Sequence, residues 1–259
     1  MVFAELGGVR IRYELTGDPG LPVLVMSHSL GADLTMWEPQ LAAFAPHVRV
    51  LCYDTRGHGG SSIPDGQYTV ADLGSDVLRL LDLLGILKAS FCGLSMGGVV
   101  GQWLGIHAQD RIERLVLADT AAKIGTKEGW NSRIETVLRD GLGQIIPGTL
   151  ERWFTAPFRA AEPETIARTA AVLGTTSAKG YAGCCAAIRD ADFRSNIAQI
   201  GAPTLVITGS DDPVTPPADG RSMADSITGS KYMELAAAHL SNVEAAGAFN
   251  EALLAFLVA

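Results

Sequence analysis

A chain of 259 residues, 47% of them hydrophobic, is long enough to bury one large core. Its formal net charge of −8 argues against nucleic acid and anionic membrane surfaces as partners. Four cysteines, at 52, 92, 184 and 185, form neither a disulfide framework nor a metal-ligand spacing, so reduced structural thiols and no metal are expected.

The first residues, Met1-Val2-Phe3-Ala4-Glu5, lack a basic segment followed by an apolar run. No stretch approaches about 18 continuous apolar residues, so no membrane span is expected and a cytoplasmic protein is. Residues 2–6 and 9–15 read as a hairpin around Gly7-Gly8. Residues 21–26 and 48–53 follow as buried strands. Thr69-Val70-Ala71-Asp72 caps a helix whose apolar stripe is Leu73, Val77, Leu80, Leu81 and Leu84, at a period of about 3.6; Gly85 ends it. Residues 89–92 and 115–118 are the next strands, with a helix at 98–108 between them. Later come strands at 203–209 and 232–235. Ser241-Asn242-Val243-Glu244 reads as a capping box opening a last helix that buries Phe249, Leu253 and Phe256. Alternating strands and helices imply an α/β fold: a mostly parallel, eight-stranded sheet with helices on both faces.

Residues 121–196 break the alternation. They contain helical pieces near 127–139, 150–154, 163–173 and 180–191, and no convincing strand. They leave one core strand and rejoin before another. The expected organisation is a core of residues 1–120 and 197–259 carrying a helical lid, 121–196.

The chemistry is carried by Gly93-Leu94-Ser95-Met96-Gly97. A G-x-S-x-G run is weak evidence as letters. Between a strand and a helix it is strong, because a sharp turn there holds the serine hydroxyl clear of the backbone at a helix N-terminus. The unpaired N–H groups of that terminus suit a developing oxyanion. A nucleophilic serine needs a base, and the base an orienting acid, in the chain order Ser, Asp or Glu, His. Of His28, His47, His58, His107 and His239, only His239 lies beyond Ser95 by more than one helix. His47 reads as a surface residue, and His107 falls about three helical turns along, roughly 18 Å away. The strand at 203–209 ends in Ser210-Asp211-Asp212-Pro213, at the carboxyl end where parallel sheets place their sites. Asp211 and Asp212 are both candidates, and the spacing Gly-x-x-Asp favours Asp212. Asp119, after the strand at 115–118, is a third.

Three core runs, Ser27-His28-Ser29-Leu30-Gly31, Tyr53-Asp54-Thr55-Arg56-Gly57-His58-Gly59 and the elbow, resemble alpha/beta-hydrolases of the haloperoxidase and esterase branch. Runs in the helical segment narrow this: Asp119-Thr120-Ala121-Ala122-Lys123-Ile124-Gly125, Trp130 with Arg133, Arg152-Trp153-Phe154-Thr155, and the stretch 180–190. With Ala238-His239-Leu240-Ser241-Asn242-Val243-Glu244, they resemble 3-oxoadipate enol-lactonases over essentially the whole chain. The resemblance implies the alpha/beta-hydrolase fold and hydrolysis of 3-oxoadipate enol-lactone, a step of aromatic catabolism, by Ser95, Asp212 and His239. It implies an oxyanion hole from the backbone N–H groups of Leu30 and Met96, and no cofactor. The substrate is a small anionic lactone, so a local cation must meet its carboxylate. Arg133 is the first choice, with Arg152, Arg159 and Arg189 as alternatives; Ser29, Trp130 and Trp153 are candidate pocket residues. The chain departs from the wider superfamily in having His28-Ser29 where many relatives have His-Gly, and enol-lactonases often carry Asn at the place of His28. His28 is read as fixing the loop through hydrogen bonds. Other expectations on the same scaffold are a different carboxylic-ester hydrolase, another lactonase, a cofactor-free perhydrolase or a non-catalytic receptor.

Overall fold

The computed structural model describes residues 1–258. Eight strands form one sheet in the spatial order β1-β2-β4-β3-β5-β6-β7-β8. They are β1 (Val2–Glu5), β2 (Arg10–Thr16), β3 (Val23–Ser27), β4 (Arg49–Tyr53), β5 (Ala89–Leu94), β6 (Ile112–Ala118), β7 (Thr204–Gly209) and β8 (Lys231–Leu235). The β1–β2 and β2–β4 pairs are antiparallel; every other pair is parallel. All eight expected strands are present, with ends shifted by at most three residues.

Side chains alternate across the sheet because the strand period is two. Val25 of β3 faces the layer made by α2 (Val70–Leu83) and α3 (Met96–His107), whereas Leu24 and Met26 face the other layer. That second layer holds α1 (Glu38–Phe44), with Trp37 and Phe44, and, at the far end of the chain, Phe249, Leu253 and Phe256. The cap of α2 is as expected: Thr69 accepts from the Asp72 N–H, Asp72 accepts from the Thr69 N–H, and Gly85 follows with φ +68°.

Between β6 and β7 lie five α-helices and no strand: α4 (Lys127–Asp140), α5 (Ile146–Trp153), α6 (Ala156–Ala161), α7 (Pro163–Thr175) and α8 (Ala178–Asp190). After β7 come α9 (Pro217–Ser226), α10 (Ser241–Glu244) and α11 (Ala246–Leu257). The short helices α1, α6 and α9 have no counterpart in the sequence reading. Each is short, at 7, 6 and 10 residues, too short for a clear apolar periodicity.

The Ser241–Glu244 capping box is not formed. Ser241 is the first residue of α10, the helix is interrupted at Ala245, and α11 starts after it. The Ser241 hydroxyl donates instead to Asp119, and the Glu244 carboxylate accepts from Thr155 and from the Ala238 N–H. Tertiary partners outcompete the local bonds that the spacing suggests. Among the described residues, no helix is long and apolar enough to cross a membrane.

Strand order places the site. From β3 the chain adds β4 on one side and then β5 on the other. The carboxyl ends of β3 and β5 therefore flank a topological switch point, where a crevice opens. The loop after β3 and the turn after β5 face each other there.

Candidate active site

Ser95 sits between the last residue of β5 and the first of α3, with φ +57° and ψ −111°. This left-handed backbone is strained for a residue with a side chain. The surroundings hold it in place: the Ser95 N–H donates to Ala118 O at 2.9 Å, and Thr120 Oγ1 donates to Ser95 O at 2.9 Å. The flanking glycines are steric necessities. A Cβ on Gly93 would lie 2.0 Å from Gly97 O, and one on Gly97 would lie 2.0 Å from Ser27 O.

Three side chains converge here. The Ser95 hydroxyl donates to His239 Nε2 at 2.9 Å, and His239 Nδ1–H donates to Asp212 Oδ2 at 2.8 Å. All three are buried. Asp212 is itself fixed by the Val214 and Thr215 N–H groups on Oδ1 (2.7 and 3.1 Å) and by Thr215 Oγ1 on Oδ2 (2.7 Å). Asp211 is exposed and bonds only the neighbouring Ser210 hydroxyl. Asp119 is buried near this group but accepts from Gly209 and Ser241 rather than from His239. His47 and His107 are exposed.

The loop after β3 is clasped to the loop after β4 by two buried imidazoles. His28 Nε2 accepts the Thr55 N–H at 3.0 Å, and His58 Nε2 accepts the Gly31 N–H at 2.9 Å. His28 Nδ1–H donates to Ser29 O at 2.7 Å. Each ring needs one bare nitrogen, so both are neutral. Burial pushes His28 below its usual value and His58 down to about 3. The pair thus locks the loop that carries Ser29 and Leu30. Neither the Leu30 N–H nor the Met96 N–H has a protein acceptor among the described residues.

The clasp carries a pH prediction. A group whose folded value lies below its ordinary 6.5 stabilises the fold above 6.5 and loses that stability as pH falls toward about 3. The stability advantage of wild type over His58→Gln should therefore shrink below pH 6.5, by at most about 1.4 kcal/mol per pH unit. Urea midpoints of both proteins at pH 7.5, 6 and 5 measure it. A constant difference would mean that His58 does not titrate with unfolding.

A small cavity of about 60 Å³ opens at Ser95 and His239. Its walls include Ser29 and Leu30 from the core and Trp130, Arg133, Arg152, Trp153 and Tyr181 from the inserted helices. The Trp130 indole N–H is anchored on Ile124 O, and Arg133 Nε donates to the Tyr181 hydroxyl at 2.8 Å. Arg133 and Arg152 both reach Thr149 Oγ1, at 3.0 and 3.4 Å. Neither has a carboxylate partner among the described residues. Burial holds Arg152 below its ordinary value, and the Arg133 charge acts in the same direction. Arg159 turns instead to Phe154 O, and Arg189 to Asp190, Asn131 and Gln67, so neither lines this cavity. A larger cavity, about 320 Å³, lies at Met36, Val172 and Leu240; it shares Trp153 with the small one and contains none of the three converging side chains.

The chain matches a family model described as the alpha/beta hydrolase fold, over residues 22–246. The chain belongs to the alpha/beta-hydrolase family. Within that family its similarity is specific. It is 45% identical to 3-oxoadipate enol-lactonase 2 of Acinetobacter baylyi, over 96% of this chain and 93% of that one. A second enol-lactonase of the same organism is 43% identical, covering 92% of this chain and 89% of its own. The crystal structure of the enol-lactonase from Burkholderia xenovorans superposes with a TM-score of 0.98 at 44% identity, covering 100% of both chains. The resemblance read from the core and from residues 121–196 is thus borne out. This alpha/beta hydrolase is an enzyme, and the two enol-lactonases of Acinetobacter baylyi are by name hydrolases of a cyclic ester.

Proposed function

We propose that this hydrolase opens 3-oxoadipate enol-lactone to 3-oxoadipate, a step in aromatic catabolism, through an acyl-enzyme on Ser95. The observation that carries the substrate assignment is the pair Arg133 and Arg152. Two guanidiniums share the wall of the Ser95 cavity without a carboxylate partner, in a chain of net charge −8. Holding them together costs free energy that a bound anion offsets. A lactone bearing a free carboxylate supplies that anion, whereas a neutral ester does not.

His239 takes the Ser95 proton as the hydroxyl attacks the lactone carbonyl, and Asp212 stabilises the imidazolium. The Leu30 and Met96 N–H groups receive the oxyanion. Ring opening expels an enolate, which His239 protonates, and the enol relaxes to a ketone. Water activated by the same imidazole then releases the acid. Trp130, Trp153 and Ser29 shape a cavity suited to a compact ring. Residues 121–196 act as the lid over a core of residues 1–120 and 197–259, and the reaction needs no cofactor.

Loss of the ultraviolet absorbance of the enol-lactone on adding the protein tests the assignment. No loss, with p-nitrophenyl acetate still hydrolysed, would mean a plain esterase.

Arg133→Met should lower kcat/KM on the enol-lactone about 10- to 100-fold, the worth of one charge-assisted hydrogen bond. Hydrolysis of p-nitrophenyl acetate should stay nearly unchanged. Equal losses on both substrates would point to a collapsed lid. No loss on either would leave the carboxylate to Arg152.

A further inference from the structure

We infer that Asp119 is a positioning residue, whose single carboxylate braces the loop carrying Asp212 and the loop carrying His239 against each other. This rests on the reading of Ser95, His239 and Asp212 as the reacting group. Asp119 follows β6, next to β7, and is fully buried with φ +43°. Its Oδ1 accepts the Gly209 N–H at 2.8 Å, three residues before Asp212. Its Oδ2 accepts the Ser241 N–H at 3.2 Å and the Ser241 hydroxyl at 2.6 Å, two residues after His239. The Asp119 N–H in turn donates to Ile207 O at 2.8 Å. One side chain thus ties together the two segments whose separation sets the Asp212–His239 bond.

A buried carboxylate in a left-handed backbone is costly, and the fold retains it without placing it in contact with Ser95 or His239. Desolvation and the Asp212 charge push Asp119 up to about 7, while His239, the Ser241 hydroxyl and the Gly209 N–H pull it down. Only the ionised form accepts all three donors. A protonated Oδ2 would set a third donor against the two of Ser241. Ionised Asp119 also adds a second negative charge near the imidazole, favouring the imidazolium that forms in the transition state.

Asp119→Asn keeps the volume and one acceptor but removes the charge. In the folded variant kcat on p-nitrophenyl acetate should fall about 10- to 100-fold, the worth of a charged hydrogen bond, with KM within about twofold. The acid limb of kcat/KM should move to lower pH and lose the steepness that a second titrating carboxylate imposes. Ser241→Ala, which deletes one donor only, should lower kcat in the same direction by about 3- to 10-fold, and it decides the matter if Asp119→Asn does not fold. Unchanged kcat in folded Asp119→Asn, or in Ser241→Ala where the first variant does not fold, would overturn the inference. So would a loss accompanied by an unmoved pH profile. A wild type whose ester hydrolysis survives Ser95→Ala would overturn the underlying assignment instead.

Discussion

Replacing Ser95 by alanine is expected to lower kcat on the enol-lactone by about 10⁴-fold or more. The hydroxyl is the one nucleophile in the cavity bonded to an imidazole, and it is held at φ +57° by contacts that alanine keeps. The Ala118 and Thr120 bonds go to the backbone of residue 95, so the elbow should survive the change. Substrate should still bind, since Arg133, Arg152 and the loop at Ser29 are untouched. Rapid-quench and steady-state rates, with binding followed by equilibrium dialysis, make the measurement. A variant keeping more than about a tenth of wild-type turnover would sink the assignment of Ser95 as nucleophile. A fluorophosphonate probe gives an independent readout, because it should label wild type at Ser95 and leave Ser95→Ala unlabelled.

The second large effect separates two neighbouring aspartates. Asp212→Asn should cost on the order of 10³- to 10⁴-fold in kcat, by presenting an amide donor to His239 Nδ1 and so favouring the wrong tautomer. The three bonds that hold the Asp212 side chain come from donors on Val214 and Thr215, and an amide oxygen can still accept part of that set. The fold should therefore persist, and circular dichroism with a thermal melt would verify it. Asp211→Asn should change kcat little, because that carboxylate is exposed and bonds only Ser210. The reverse ranking would place the acid on the wrong side chain.

Much of this is legible in the sequence itself. The elbow is readable because its glycines answer to local sterics: Gly93 and Gly97 sit where any Cβ would strike backbone. The strands are readable because burial on both faces demands continuous apolar runs, as in β5 and β7. Helices α2 and α11 are readable from their apolar spacing.

Residue spacing left three carboxylates open as partners of His239, and four arginines open as partners of an anion. Packing puts Asp212 on His239, and puts Arg133 and Arg152, but not Arg159 or Arg189, on the cavity wall. A motif of local spacing misled at Ser241–Glu244, where both side chains were claimed by groups far away in the chain. The loop-fixing hydrogen bonds of His28 match the sequence reading, whereas its pairing with His58 and the bonds of Asp119 to Gly209 and Ser241 had no sequence signal beyond the residues themselves.

Sequence alone determined the fold class and singled out Ser95 and His239 as candidates, because strand burial, the elbow's steric demands and the order of the chain are local or one-dimensional. Tertiary structure decided which carboxylate orients His239, which cations face Ser95, and what holds the loops in register. Those depend on hydrogen bonds between segments up to 144 residues apart, such as the one from Ser95 to His239. Such bonds form only when the parallel sheet brings the carboxyl ends of its strands to one edge.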